Sequence, residues 1–186
     1  MTADPCPLDM PLPPRGAGKV FSFDAETDGL YGPVWAIGAV VLGDTADGPV
    51  PRFAGQLDPD VVTDPWVREH VVPVVDLPRY ETRVELLDAF WAFWLEHRDG
   101  ADCVGDFAAP VEAGLFRACV ELDIPGRQWN GPYPLHELGT ALLTAGEDPD
   151  VDRRKLSGRL DLTPHDPVCD ALASGLCWQR VRNGTL

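Results

Sequence analysis

Positive charge is scarce in this chain: two lysines, Lys19 and Lys155, and thirteen arginines face thirty carboxylates, for a formal charge of −15. Such a balance excludes a protein that grips nucleic acid by blanket neutralisation of phosphates. It leaves room for an enzyme that meets phosphate through bound divalent ions, with part of the acid excess serving as ligands. The bias to arginine keeps guanidinium groups available for phosphate contacts. No run of about eighteen apolar residues occurs, and the start has no basic stretch leading into an apolar one, so neither a membrane span nor a secretory signal is expected and a cytoplasmic protein is. The five cysteines form no CxxC pair and are odd in number, which argues against both a zinc site and a disulfide framework. Most read as small buried apolar residues. Cys169 adjoins an acid discussed below, but a nucleophilic thiol needs an activating environment that sequence does not display.

What is present describes one compact unit. At 186 residues, 45% of them hydrophobic, the chain is long enough for a sizeable core. Residues 1–18 carry Pro5, Pro7, Pro11, Pro13 and Pro14 with Gly16 and Gly18, a composition that holds neither helix nor central strand and reads as a flexible leader ahead of a domain over 19–186. Lys19–Ala25 reads as a buried strand. VWAIGAVVL, Val34–Leu42, is a second, and TDGLYG between them supplies a hairpin turn. Val50–Leu57 is a third, after a DTADG turn. Asp64-Pro65-Trp66 has the cap and first-turn proline of a short helix through His70. Thr82–His97 places Val84, Leu87, Phe90, Trp91, Trp94 and Leu95 at helical spacing, an amphipathic helix whose aromatic stripe is core packing. Ala101–Gly105 is a short strand. Helices follow over Pro110–Leu122, Leu135–Thr144 and Asp166–Arg182. This order predicts an α/β protein with a mixed sheet flanked by helices.

The chemistry is concentrated in Phe21-Ser22-Phe23-Asp24-Ala25-Glu26-Thr27-Asp28-Gly29-Leu30. Residues two apart in a strand share a face, so Asp24 and Glu26 present both carboxylates together at the strand end. Two like charges so close call for a cation between them, and paired hard oxygens suit Mg²⁺ or Mn²⁺. Asp-x-Glu-x-Asp-Gly also resembles the opening of a calcium loop, but that loop needs a bidentate Glu where this chain has Trp35, and a helix where it has a β-rich run. An ordinary strand ending in an acidic turn is the plainer alternative.

Far downstream, Pro164-His165-Asp166-Pro167-Val168-Cys169-Asp170-Ala171 opens the last helix. His165 and Asp170 lie about one and a half helical turns apart, and they share a face only if His165 sits on the entry loop. Asp170 is then a candidate third metal oxygen. His165 above it is a candidate base, since an unperturbed histidine titrates near neutrality. The plainer reading of His165 is a surface residue beside a helix start.

DAETDGL followed by H-x-x-x-x-D-A resembles the DEDDh-type 3'-to-5' exonucleases, the superfamily of ribonuclease T and the DNA polymerase proofreading exonucleases, over residues 19 to about 182. The resemblance implies a ribonuclease H-like mixed five-stranded sheet flanked by helices. It implies a metal-dependent exonuclease that releases nucleoside 5'-monophosphates from 3' ends of single-stranded RNA or DNA. Asp24, Glu26, an acid of a middle motif and Asp170 would hold two Mg²⁺ or Mn²⁺ ions, and His165 would activate the attacking water. In the middle motif this sequence departs from the family: Asp106 ends the strand, whereas Glu112 better matches the helical position by its neighbours. Asp106 is the first choice of ligand and Glu112 the second. The resemblance of the middle region to small exoribonucleases favours RNA, and homodimers are common in the family. Leu30, Tyr31 and Trp66 are candidates to stack terminal bases, or simply to pack their loops. The competing functional class is a catalytically weak or inactive domain of the same fold serving as a protein-binding adaptor.

Overall fold

The computed structural model describes residues 18–43 and 50–186. The proline-rich leader up to residue 17 and the DTADG turn lie outside the described residues. In chain order the elements are β1 (Lys19–Thr27), β2 (Val34–Leu42), β3 (Arg52–Gln56), α1 (Pro65–His70), α2 (Arg83–His97), β4 (Ala101–Gly105), α3 (Val111–Glu121), α4 (Ile124–Arg127), β5 (Leu135–Glu137), α5 (Leu138–Ala145), α6 (Arg153–Ser157) and α7 (Pro167–Asn183). The strands form one five-stranded sheet in the order β3-β2-β1-β4-β5. β1 pairs antiparallel with β2, and β2 with β3, while β1 pairs parallel with β4, and β4 with β5. This is the ribonuclease H-like α/β arrangement expected from the sequence.

The alternation of β1 divides the core in two. Phe21, Phe23 and Ala25 enter an aromatic cluster with Phe90, Trp94 and Phe116 of α2 and α3. Val20 joins Val40, Leu138, Leu142, Ala171 and Cys177 beneath α5 and α7. β2 is buried along its whole length, as a strand covered by helices on both faces must be. Helix α2 starts where a capping box requires: the Thr82 hydroxyl accepts from the Glu85 N–H at 3.2 Å, and the Glu85 carboxylate accepts from the Thr82 N–H at 3.0 Å. Its buried residues are Leu86, Leu87, Phe90, Trp91 and Trp94. Val84 and Leu95, expected on the apolar stripe, are exposed instead, because Leu86 takes the inward place.

Two glycines let α7 lie against the sheet. A Cβ on Gly38 would stand 2.2 Å from the carbonyl carbon of Pro167, and one on Gly175 would stand 2.9 Å from Ser22. The first turn of α7 therefore crosses β2 at Gly38, the residue paired with Asp24. The helix expected over Leu135–Thr144 begins later, since Leu135–Glu137 pairs with β4 as an edge strand. Glu137 then caps α5, accepting from the Thr140 N–H at 3.1 Å. Cys103, Cys119 and Cys177 are buried, as read from the sequence; Cys6 lies outside the described residues.

Candidate functional site

β1 and β4 run parallel, so their carboxyl ends open on the same side of the sheet, where open α/β sheets characteristically bind ligands. Asp24 and Glu26 stand on one face of β1 opposite Gly38 and Ala36 of β2. Asp170 arrives in the first turn of α7, and Glu112 in the first turn of α3. Asp24, Asp106, His165 and Asp170 line a common cavity of about 260 Å³. Ligand atoms of Glu26, His165 and Asp170 all lie within 4.8 Å of one another. Strand alternation and a helix start thus bring together acids from opposite ends of the chain.

The electrostatics of the cluster follow from burial and like charge. Asp24 is raised well above the usual carboxylate range by desolvation, then by Glu26, Glu112, Asp170 and Asp106 in turn. Glu26 is pushed up to about 8 by burial, with Asp170 and Glu112 adding to it. Glu112, only 6% exposed, is pushed up to about 7 by burial and then by Asp106. Asp170 rises to about 6 through burial, partly offset by the hydrogen bond from the His165 backbone.

The two candidates for the middle acid have different neighbours. Asp106 Oδ1 accepts from Arg153 Nε at 2.8 Å and lies 2.7 Å from Arg153 Nη2. Arg153 is itself buried and also donates to the carbonyls of Val151 and Pro149, each at 2.6 Å. Asp106 is raised by burial but held back by that guanidinium. Glu112 has no ion pair among the described residues, and its charge is felt by both Asp24 and Glu26. Its side chain packs over Gly105, where a Cβ would come within 3.0 Å of Glu112 Cγ.

His165 sits on the entry loop, as the spacing required. Its backbone takes φ +62°, the left-handed region that non-glycine residues avoid. Its N–H donates to Asp170 Oδ2 at 2.8 Å, and its Nδ1 lies 4.0 Å from Glu26 Oε1. The half-exposed imidazole meets the edge of Trp66 at 5.9 Å between ring centres, and His70 stacks on Trp66 at 4.8 Å. Trp66 owes its place to the tail of the first motif. Asp28 accepts from Thr63 N–H at 2.8 Å, Thr63 hydroxyl at 2.7 Å and Asp64 N–H at 2.6 Å. Asp64 in turn caps α1, accepting from the N–H groups of Trp66 and Val67. These bonds, the one from Asp64 first, hold the Asp28 carboxyl below its ordinary value. The Cys169 thiol is pushed up by desolvation, so it lacks the environment a nucleophile needs.

Arg153 and Arg154, both lining the cavity, and the clamp formed by Asp28 were not identified from sequence as parts of the site. The run Asp152-Arg153-Arg154-Lys155 was the available signal, the densest group of cations in an acidic chain. Leu30 and Tyr31 are exposed on the β1–β2 turn and line a second cavity that begins at Thr27. No model of a known protein family matches this chain, and none of the curated proteins matches it.

Proposed function

We propose that this chain is a metal-dependent 3'-to-5' exonuclease of the DEDDh type, acting on single-stranded nucleic acid, RNA in preference to DNA, and releasing nucleoside 5'-monophosphates. The observation that carries the reading is the convergence of Asp24, Glu26, Glu112 and Asp170, with raised proton affinities and no lysine or arginine paired to Asp24, Glu26 or Glu112 among the described residues. An all-carboxylate donor set of this kind fits hard divalent ions. Asp24, Glu26, Glu112 and Asp170 would hold Mg²⁺ or Mn²⁺. Two such ions would supply charge neutralisation at the scissile phosphate and a more acidic attacking water.

Glu112 is the better middle ligand on this reading, because Asp106 already shares its charge with Arg153. His165, facing Glu26 from a loop tied to Asp170 through its own N–H, would take the proton of the attacking water. Arg153 would keep Asp106 ionised beside the acids without competing for the ions. The exposed Trp66 beside His165 would stack a base of the substrate strand. Leu30 and Tyr31 at the mouth of the second cavity would meet the terminal nucleoside.

The test is Mn²⁺- and Mg²⁺-dependent release of mononucleotides from short RNA and DNA strands, with Asp24→Ala and Asp170→Ala as controls that must remain folded by circular dichroism. Both changes are expected to abolish release, and activity that survives them ends the proposal. A calorimetric titration that detects no Mn²⁺ binding, together with no turnover on any strand, would return the chain to the adaptor class.

A further inference from the structure

Beside the acid cluster, on the side of Thr27 and Val111, lies a cavity of about 380 Å³. These residues follow Glu26 and precede Glu112 directly in the chain, so the cavity adjoins the end of β1 and the start of α3, the two elements that carry those carboxylates. Its walls are largely apolar, with Leu30, Tyr31 and Leu87 among them. Its charged lining residues are Arg83 and Arg117, and no carboxylate lines it. In a chain carrying −15, an opening bordered by guanidinium groups and no acid stands apart from the surface around it.

Neither arginine is consumed by a buried ion pair. Arg83, in the first turn of α2, is held by a single bond from Nε to the Val34 carbonyl at 3.2 Å, with no carboxylate paired to it among the described residues. This leaves the two terminal nitrogens of its fork for a ligand. Arg117 on α3 pairs with Glu121 through Nε at 2.7 Å, an exposed i,i+4 contact that is readily exchanged. A planar fork with free parallel donors is matched to phosphate.

We infer that this cavity binds a terminal nucleotide that carries a 3'-phosphate, with the nucleoside against the apolar wall and the phosphate between Arg83 and Arg117. The inference deepens the proposed exonuclease and rests on that reading for the orientation of the nucleotide. It names the substrate class: strands ending in a 3'-phosphate, the ends left by nucleases that cut to give 3'-phosphorylated fragments. Hydrolysis would then break the same phosphodiester bond as at a 3'-hydroxyl end. Water supplies the oxygen added to phosphorus and the proton gained by the departing 3' oxygen, and the product is a nucleoside 3',5'-bisphosphate.

Binding can be read without turnover. Adenosine, adenosine 5'-monophosphate and adenosine 3'-monophosphate are titrated calorimetrically into the protein in EDTA. The 3'-monophosphate is expected to bind at least about tenfold more tightly than the other two, the effect of one charge-assisted hydrogen bond. Arg83→Ala and Arg117→Ala are each expected to remove most of that preference while circular dichroism stays unchanged. Equal affinities, no binding of the 3'-monophosphate, or a preference that survives both changes would overturn the inference. Oligonucleotides with 3'-hydroxyl and 3'-phosphate ends, assayed in Mn²⁺, separate this outcome from the exonuclease reading. Turnover of hydroxyl ends with no 3'-phosphate preference leaves the enzyme standing and the pocket assignment fallen. A preference in EDTA with no turnover of either strand leaves the binding site standing and the nuclease fallen.

Discussion

Removing one charge from the acid cluster should stabilise the metal-free protein, by an amount that grows as pH rises from about 5 to about 8. Glu26 titrates at an ordinary 4.5 when unfolded and at about 8 in the folded chain, so folding strengthens its hold on a proton. The stabilisation carried by that proton is complete below about pH 4.5 and is lost as pH rises through 8. At about 1.4 kcal/mol per unit of displacement, the ceiling is about 5 kcal/mol. Glu26→Gln keeps the shape of the protonated acid and cannot ionise. Since Asp170 and Glu112 contribute to the shift, relief of their mutual repulsion limits the gain at pH 9 to about 1–3 kcal/mol. In a chain of this length each kcal/mol moves the melting temperature by about 2–4 °C. Thermal unfolding in EDTA from pH 5 to pH 9 is the assay: wild type and variant nearly coincide at pH 5, diverge steadily up to about pH 8 and stay apart above it, the variant melting higher. Added Mn²⁺ should reverse the order, because the wild type gains a ligand-bound state that the variant has impaired. Parallel melting curves across the pH range, or a variant that melts lower at pH 9 in EDTA, would refute the electrostatic account.

Three further changes probe how the site is held. Gly38→Ala places a methyl within 2.2 Å of the Pro167 backbone, so α7 must shift; a loss of about 3 kcal/mol in urea unfolding is expected, with Mn²⁺ affinity falling as Asp170 moves away. Arg153→Met leaves Asp106 without its partner, an expected cost of about 3 kcal/mol, and adding Asp106→Asn should recover part of it in the same urea titration. Asp28→Asn replaces a carboxylate that accepts three bonds with an amide that must turn a donor toward donors. Hydrogen exchange at Thr63 and Asp64 should accelerate while exchange in β2 stays unchanged.

Much of the architecture is written in local patterns. β2 was read to the residue because nine apolar residues lie between Pro33 and Gly43, and α2 and α7 were bounded within a residue because Thr82 and Asp166 are side-chain caps. Elements fixed by distant partners were not legible. Leu135–Glu137 carries a helix-like pattern into α5, and only pairing with β4 turns it into strand. α4 and α6, at four and five residues, are too short to display a period. In the site, Asp24, Glu26, His165 and Asp170 could be named because strand alternation and helix spacing determine which way they face. The contrast between Asp106 and Glu112 could not be read, since it depends on Arg153, which reaches Asp106 from α6 across a long stretch of sequence. Asp28 looked like a third acid of the motif, yet its donors come from the segment before α1.

The left-handed backbone at His165 bears on which replacements natural variation can sample. A β-branched residue there would clash with its own main chain, so drift at this position is channelled toward asparagine or glycine. Those two keep the loop's path and the amide that donates to Asp170 while deleting the imidazole. On the proposed reading, a lineage that lost the imidazole would therefore still inherit an intact acidic cradle, one that could hold divalent ions without turning over substrate.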